Sequence, residues 1–283
     1  MKSLFYIRPE IKITGSGISV KINNDFFTVQ DFDKIDNIMI TAKSGYISLY
    51  ALKIMAIKRI TLTLHDMNGL LLYHIIPEYP NRAIDNRILQ YKQFIENREQ
   101  IASKIVSIKK QKYNEMLKEY NMPLTTNENE AVFSNEYFAK FQQLITDYGY
   151  DYTGRKGLYY MSNQKAINII NATMNLFYGY IEHKLLNQIA YENLDYNISF
   201  LHEPQYNKLP LTYDIIEMLR ADIDKIVLRM AQNRFIQKRH FELSNGYYLL
   251  KEQNIKKYIK NIIPVENKTN ATVKEFINIL NTN

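Results

Sequence analysis

The sequence predicts an α+β protein of two domains, a small N-terminal antiparallel β-rich domain with one helix and a larger C-terminal all-α domain. In the first 80 residues, apolar side chains recur mainly with the period of two that is typical of half-buried strands; from about residue 85 onward they recur with helical spacing. Pro77 and Pro80 flank a polar stretch between the two patterns. We therefore place the β-rich domain at residues 1–80, a linker at 81–86 and the helical domain at 87–283.

The N-terminal domain is predicted from its strand patterns. Gly15 and Gly17 supply a turn between the first two strands. Residues 48–58 interrupt the strands, because Leu49 and Met55 share one face at helical spacing and predict a single helix. The segments with strand patterns are 11–14, 18–22, 26–29, 35–41, 60–64 and 70–76.

The helical domain is predicted from amphipathic stretches separated by polar connectors, of which residues 122–129 are the clearest. No stretch repeats at the period of a solenoid, so the domain is expected to pack as one helical unit. The helix candidates are 88–117, 134–148, 164–192, 213–234 and 255–262.

Composition excludes several classes of protein. The chain contains no cysteine, which excludes disulfides, thiolate metal sites, iron–sulfur clusters and cysteine nucleophiles. It lacks a run of about 18 uninterrupted apolar residues, so no membrane-spanning helix is expected. Charged residues at Lys2 and Arg8 come too early for the apolar core of a signal peptide. These features predict a protein of the cytoplasm with no membrane association.

The charge of the chain favours a polyanionic partner. Lys and Arg together number 36 against 29 Asp and Glu, giving a net charge of +7. Clustered cations bind nucleic acid well because they release the counterions condensed on its phosphates. An AT-rich genome would also produce a chain rich in Lys, Asn, Ile and Tyr, so charge alone leaves nucleic-acid binding open.

Three residues in the second half have side chains suited to metal or acid–base chemistry. His202 precedes a loop, and the helix that follows carries Asp214 and Glu217 at i and i+3, on one face. The alternative is a solvent-facing acidic pair near a helix N-terminus, where the helix dipole favours carboxylates. A site for a hard metal ion would need a third acid. Glu130 is one candidate, and spacing alone does not separate it from its neighbours Glu128 and Glu136.

Three segments, in this order, resemble a known family: residues 171–178, 198–203 and 211–224. They are similar to the Asn-to-Tyr helix, the Gly-Phe-Leu-His segment and the acidic helix ending in Asp of the CRISPR-associated spacer-acquisition integrases, the Cas-one family. Residues 130–138 resemble that family's Glu-Gly-x-Ala-Ala-x-x-Tyr-Phe element, and the resemblance selects Glu130 among the acids. The sequence departs from the family pattern at Ala131, Ser199, Pro210 and Ala221.

The resemblance implies a metal-dependent DNA endonuclease and integrase. Glu130, His202 and Glu217 would bind Mg²⁺ or Mn²⁺, and the nitrogen ligand makes Mn²⁺ the more favourable ion. Asp214 would be either an auxiliary ligand or a group that orients the site. The reaction implied is transesterification, in which a 3′-hydroxyl of incoming DNA attacks a phosphodiester of the repeat array.

The resemblance also implies partners. Double-stranded DNA would be bound as spacer precursor and as repeat array, the protein would form a homodimer largely through its β-rich domain, and a small partner, Cas-two, would join it. Asn171 and Tyr178 could contact DNA or pack in the core. For the basic candidates the alternative is a solvated basic face. The basic candidates for phosphate contact are Arg220, Arg229, Arg234, Lys238 and Arg239.

Two other functions remain open at this point. One is a transposon-type integrase, or a branched-DNA nuclease, of the same fold; such transposon relatives usually carry an added DNA-binding domain, which this sequence is not expected to have. The other is a DNA-binding scaffold without catalysis, which the presence of Glu130, His202 and Glu217 disfavours.

Overall fold

The computed structural model of the protein describes the following residues: 2–7, 10–14, 17–22, 25–30, 32–41, 44–65, 71–77, 84–154, 166–203, 209–244 and 246–282. The predicted turn at Gly15 and the boundary residue Pro80 lie outside these ranges.

The described residues between 2 and 75 form two four-stranded sheets. Strand order in the first is β1 (Lys2–Ile7), β5 (Ile35–Thr41), β7 (Thr61–His65) and β8 (Leu71–Ile75). In the second, the order is β4 (Asp25–Gln30), β3 (Gly17–Ile22), β2 (Glu10–Thr14) and β6 (Ser44–Ile47). The sequence analysis missed β1 and β6.

The prediction of an antiparallel domain is wrong, because both sheets are mixed. Strand β5 pairs in parallel with β1 and with β7, and β2 pairs in parallel with β6; the other pairs are antiparallel. Parallel neighbours need a crossover connection. Helix α1 (Leu49–Ile57) supplies part of the crossover from β5 to β7. Period-two patterning indicates a half-buried strand but carries no information about the direction of its neighbour.

Helix α1 closes the core of this domain. Ser48 caps it, its hydroxyl accepting a hydrogen bond from the backbone N–H of Ala51 at 3.0 Å. Ala51 and Met55 face inward and join a cluster of buried side chains from the strands, among them Ile13 and Ile38. Of the predicted face of Leu49, Leu52, Met55 and Ala56, only Met55 is buried; Leu49 is 85% exposed and Ala56 is also exposed.

The described residues from 84 onward contain seven helices: α2 (Ile84–Glu119), α3 (Glu130–Asp147), α4 (Ile169–Tyr191), α5 (Pro210–Glu217), α6 (Arg220–Gln232), α7 (Glu252–Glu266) and α8 (Thr269–Asn281). Helix α4 is buried on nearly all sides and contacts α5, α6, α7 and α8. Because α2 begins at Ile84, residues 84–86 of the predicted linker are helical. None of the described helices is long and apolar enough to cross a bilayer.

The prediction that this domain is all-α is also wrong. Strands β9 (Phe241–Ser244) and β10 (Tyr247–Leu250) form an antiparallel hairpin, and Gly246 in its turn has a φ of +81° that favours glycine. Each strand has four residues, too few for the period of two to be distinguished from a loop. The sequence analysis also missed α8.

The predicted helix 213–234 is two helices. It breaks at Met218 and Leu219, where Lys112 of α2 donates a hydrogen bond from Nζ to the carbonyl oxygen of Met218 at 2.7 Å. This bond satisfies one of the carbonyls that a helix leaves free at its end. As a result, Glu217 is the last residue of α5 and Arg220 is the first of α6.

Polar side chains join the two domains. The hydroxyl of Thr61 on β7 donates to the side-chain oxygen of Asn187 on α4, and the hydroxyl of Thr63 lies 3.1 Å from Nδ1 of His183. All four residues are buried. Strand β7 therefore contacts helix α4 through buried polar side chains.

Candidate active site

Two carboxylates from different helices converge on one lysine. On α2, Lys109 Nζ lies 2.5 Å from Glu130 Oε1 at the start of α3 and 2.9 Å from Glu217 Oε2 at the end of α5. Lys109 and Glu217 are buried, whereas 41% of the Glu130 side chain is exposed. The two acids expected to share a cation therefore share one in the structure, and it is the ammonium of Lys109.

The position of Lys109 follows from the periodicity of α2. It stands four residues after Ile105 and four before Tyr113, so it falls within the stripe of residues that α2 buries against the other helices. Its apolar stem suits this stripe, while the ammonium extends to the carboxylates. Lys109 was not among the predicted site residues, although its spacing of four residues from Ile105 and Tyr113 is a signal present in the sequence.

Glu130 is positioned by the cap of α3. The side-chain oxygen of Asn129 accepts hydrogen bonds from the backbone N–H groups of Ala131 at 3.0 Å and Val132 at 3.2 Å. Glu130 is thus in the first turn, where the helix dipole stabilises a carboxylate. The competing acids Glu128 and Glu136 are both exposed to solvent.

Glu217 is held ionised by its neighbours. Arg220 donates from Nε to Glu217 Oε1 at 2.6 Å. Burial by itself would raise the pKa of Glu217, but Arg220 and Lys109 outweigh that effect and lower the pKa below its ordinary value of 4.5. Glu217 is 4% exposed and Asp214 is fully buried, so the alternative of a solvent-facing acidic pair is wrong.

Asp214 organises the segment that carries His202. Its Oδ2 accepts from the backbone N–H groups of Phe200 at 2.6 Å and Leu201 at 3.1 Å, and its Oδ1 accepts from that of His202 at 3.0 Å. The ring nitrogen Nδ1 of His202 donates to the same Oδ1 at 2.8 Å. Both oxygens of Asp214 are engaged, so of its two open roles the contacts fit the orienting one.

The hydrogen bond to Asp214 directs the other ring nitrogen of His202 toward the acids. Nε2 lies 3.9 Å from Glu217 Oε1. With its hydrogen on Nδ1, the ring presents the lone pair of Nε2. Ser199, at a position where the resembled family has glycine, donates from its hydroxyl to the carbonyl oxygen of His202. Asp214 thus orients the imidazole, and Ser199 holds the backbone that carries it.

A buried carboxylate lies behind the site. Asp224 accepts hydrogen bonds from the hydroxyls of Tyr178 at 2.6 Å and Tyr137 at 2.9 Å. The guanidinium of Arg220 lies over the Tyr178 ring, 5.1 Å from its centroid, which connects Asp224 through Tyr178 and Arg220 to Glu217. The sequence analysis assigned no role to Asp224 or Tyr137.

The two residues expected either to contact DNA or to pack in the core are in the interior. Tyr178 is bonded to Asp224, and Asn171 donates from Nδ2 to the carbonyl oxygen of Gly154 at 3.1 Å. Both side chains are buried. Their placement favours the bracing alternative over DNA contact.

The basic candidates have different surroundings. Arg220 is engaged with Glu217, and Arg229 pairs with Glu119 on the surface, Nη2 to Oε1 at 3.2 Å. Arg234 and Lys238 are exposed and line a cleft of about 430 Å³ beside the start of α4. Arg239 is also exposed. Among the candidates, Arg234 and Lys238 are the pair that shares a concave surface.

The side chains of Glu130, Glu217 and His202 are of the types that bind a hard divalent cation. In the described part of the chain no three His, Asp or Glu side chains form a ready-made metal site. Glu130 and Glu217 nevertheless face a common cation, and Nε2 of His202 lies 3.9 Å from the other oxygen of Glu217, Oε1. Two carboxylates and one imidazole suit Mg²⁺ or Mn²⁺.

Comparison with protein families identifies the chain. The family model described as CRISPR associated protein Cas1 matches residues 8–131 and 124–263. The chain belongs to the Cas1 family. Within that family, a CRISPR-associated endonuclease Cas1 of Thermodesulfovibrio yellowstonii is 31% identical over 108 residues, 38% of this chain and 32% of that protein. One of Clostridium perfringens is 32% identical over 106 residues, 37% of this chain and 31% of that protein.

The matches to those two Cas1 relatives span about a third of their length. A Cas1 endonuclease of Thermotoga maritima matches more of the chain, at 24% identity over 253 residues, 80% of this chain and 76% of that protein. The solved structure of a Cas1 protein from T. maritima has a TM-score of 0.83 at 17% identity, covering 100% of this chain and 97% of that one. A casposase bound to an integration product has a TM-score of 0.77 at 21% identity, covering 99% and 90%. At these identities the structural likeness shows the fold.

Proposed function

We propose that the protein is a metal-dependent DNA endonuclease and integrase of CRISPR adaptation that inserts spacer DNA into the repeat array. The observation that carries the proposal is the convergence of Glu130 and Glu217 on one cation, with Nε2 of His202 3.9 Å from the other oxygen of Glu217. Membership of the Cas1 family and relatives named as endonucleases support it. The likeness to a casposase bound to an integration product supports strand joining as the chemistry.

Glu130, Glu217 and His202 would hold a Mg²⁺ or Mn²⁺ ion. When bound, such an ion acts as a Lewis acid on a phosphodiester and stabilises the attacking or leaving oxygen. Arg220 keeps Glu217 in the anionic form that binds cations, and Asp214 keeps the hydrogen of His202 on Nδ1, which leaves Nε2 free to donate its lone pair.

The reaction requires no covalent protein intermediate. A 3′-hydroxyl of the spacer attacks a phosphorus atom of the repeat, forming one P–O bond while another breaks and releases a 3′-hydroxyl. Such a transfer depends on positioning and on stabilisation of charge. The site's fixed imidazole and buried, ionised Glu217 serve those two needs, and the absence of cysteine is consistent with them.

The partners follow from the surface and from the family. Double-stranded DNA would contact the cleft that contains Arg234 and Lys238. A homodimer would form through the β-rich domain, where α1 exposes Leu49, Tyr50 and Ile57, an apolar group of the kind that marks interfaces. A complex with Cas2 is proposed because this chain resembles part of a Cas6-RT-Cas1–Cas2 complex with a TM-score of 0.69.

A second candidate is a transposon-type integrase, which the casposase likeness favours. The two functions differ in the DNA they join. Purified protein would be offered a prespacer with either a plasmid that carries the CRISPR repeat or one that carries a transposon target. Insertion at the repeat border supports CRISPR adaptation, and insertion without regard to the repeat supports the alternative.

The catalytic part of the proposal is tested by Glu217→Gln, which removes the buried charge while keeping the side-chain shape. We expect strand joining to fall at least about a hundredfold while DNA binding persists, because positioning and charge stabilisation carry the chemistry. Chelation should stop the wild-type reaction, and added Mn²⁺ or Mg²⁺ should restore it. Glu119→Gln is the matched control, because Glu119 also bridges two basic side chains but lies on the surface. Equal joining by Glu217→Gln and wild type would remove Glu217 from the site, and DNA binding without any joining by the wild type would leave the scaffold alternative.

A further inference from the structure

We propose that Lys109 is a built-in counter-ion, which holds Glu130 and Glu217 together in the metal-free protein and which a divalent ion must displace. The inference rests on the proposed function, since it concerns the same pair of carboxylates. Lys109 is not one of the proposed metal ligands, and the inference gives it a role of its own: Lys109 sets the affinity of the site for metal.

The charge of Lys109 balances two carboxylates that lie close together. Glu130 and Glu217 belong to helices that start and end at this point, and both acids approach one nitrogen closely. Without a cation between them, two neighbouring carboxylates repel each other and the buried one resists ionisation. Arg220 is bonded to Oε1 of Glu217, whereas Lys109 approaches Oε2, so the two cations serve different oxygens. Lys109 alone spans both acids among the ion pairs of the described residues.

The Lys109 ammonium occupies the space that a metal ion bound by both acids would need. A Mg²⁺ ion bound by both acids would lie about 2.0–2.1 Å from their oxygens, in the region that the ammonium now occupies. An ammonium at 2.5 and 2.9 Å from the same two oxygens would lie against the ion, where both charge and volume oppose it. The flexible four-carbon stem of lysine allows the ammonium to turn away while its attachment to α2 stays in place.

The Lys109 side chain is buried. Lys109 is 7% exposed, and its nitrogen lies 5.9 Å from the centroid of the Tyr113 ring. A buried lysine needs a partner that balances its charge, and the two carboxylates supply it. The ammonium is therefore paired with both acids in the metal-free site, and entry of an ion is an exchange of one cation for another.

An exchange has a measurable consequence. If the site accepts metal only in the fraction of molecules where Lys109 has turned away, the apparent Kd is the intrinsic Kd divided by that fraction. Replacing Lys109 by methionine keeps most of the stem and removes the competitor. We expect Lys109→Met to bind Mn²⁺ about tenfold or more tightly than the wild type. In the absence of metal its Tm should be lower, and added Mn²⁺ should raise its Tm by more than that of the wild type.

The experiment is a titration of Mn²⁺ followed by calorimetry, with thermal unfolding measured in chelator and in Mn²⁺. Lys104→Met is the matched control, because it removes the same charge from a half-exposed position on the same helix, where Lys104 contacts Thr282. Lys109→Gln is measured as well. Its polar side chain can bond the two carboxylates, so this variant provides the test if the methionine variant does not fold. Glu217→Gln shows whether binding occurs at this site.

Tighter binding by Lys109→Met or Lys109→Gln, unchanged binding by Lys104→Met and loss of binding by Glu217→Gln would support the inference. Equal or weaker binding by both Lys109 variants, with binding still dependent on Glu217, would overturn the inference and leave the proposed function standing. Absence of any Mn²⁺ binding that depends on Glu217 would overturn both.

Discussion

Asp214 Oδ1 lies 2.8 Å from Nδ1 of His202, and the same carboxylate accepts hydrogen bonds from three consecutive backbone N–H groups. One fully buried side chain therefore sets both the conformation of residues 200–202 and the orientation of the imidazole. These contacts give Asp214 a structural role at residues 200–202 that is separate from the ion pairs of Lys109 with Glu130 and Glu217.

Replacement of Asp214 by asparagine should weaken the site without removing a proposed ligand. An amide has a single acceptor oxygen, so it cannot satisfy the backbone donors and the ring together. We expect Mn²⁺ affinity and strand joining to fall about tenfold to a hundredfold, the range found for groups that orient metal ligands. Calorimetry and a joining assay measure the two effects. Asp222→Asn is the control, because Asp222 forms ion pairs with Lys112 and Lys268 away from His202. A Mn²⁺ affinity equal to that of wild type would show that the hydrogen bond to Asp214 is dispensable.

Replacement of Tyr178 by phenylalanine separates its two suggested roles. The change removes the hydroxyl that donates to Asp224 at 2.6 Å and leaves the ring under Arg220. Because a buried carboxylate loses one of its donors, we expect the free energy of unfolding to fall by about 1–3 kcal/mol. DNA affinity measured at a temperature where the variant is folded should be unchanged. Tyr137→Phe, which removes the other donor, is the comparison. A loss of DNA affinity by Tyr178→Phe with normal stability would instead assign the residue to DNA contact.

Arg234 and Lys238 should contribute to the salt dependence of DNA binding. Each phosphate contact changes the slope of log affinity against log salt by about 0.9. The double variant Arg234→Ala, Lys238→Ala should therefore bind more weakly, with a slope shallower by about 2. Arg229→Ala is the control, since Arg229 is paired with Glu119. Binding curves at several salt concentrations measure the slope, and identical slopes for the wild type and the double variant would place the DNA elsewhere.

His183 should make stability depend on pH. Burial between β7 and α4, with a smaller effect from His65 and Lys184, lowers the pKa of His183 well below its ordinary value of 6.5. As the pH falls through 6.5, the unfolded chain takes up a proton that the folded protein does not, so stability is lost on acidification. The loss for one proton is at most about 1.4 kcal/mol per pH unit.

The variant His183→Asn tests this linkage, because its amide can still contact Thr63. His74 and His240, whose pKa values are also lowered by burial, are present in both proteins, so the difference between the two stability curves isolates His183. We expect denaturant unfolding between pH 5 and 8 to show a steeper loss for the wild type. Parallel curves would indicate that His183 is protonated equally in both states.

Local patterns predicted much of the secondary structure. Strand β5 is found over the predicted residues 35–41, and α1 and α3 lie within a few residues of their predicted limits. The predicted residues His202, Asp214 and Glu217 lie together: Asp214 and Glu217 are on one helix, and His202 contacts the first and lies near the second. The positions of these strands, helices and site residues depend on residues that are close in the sequence, and periodicity and spacing describe such local relationships directly.

Only the tertiary structure shows which residues far apart in the sequence are in contact. The parallel pairing of β5 with β7 depends on a crossover, and the break after Glu217 coincides with a bond from Lys112 on another helix. Likewise, Lys109 resembles any helical lysine until α3 and α5 bring two carboxylates to it. Periodicity states which face of an element is buried, but the partner that a buried charge meets there is determined by how the elements pack.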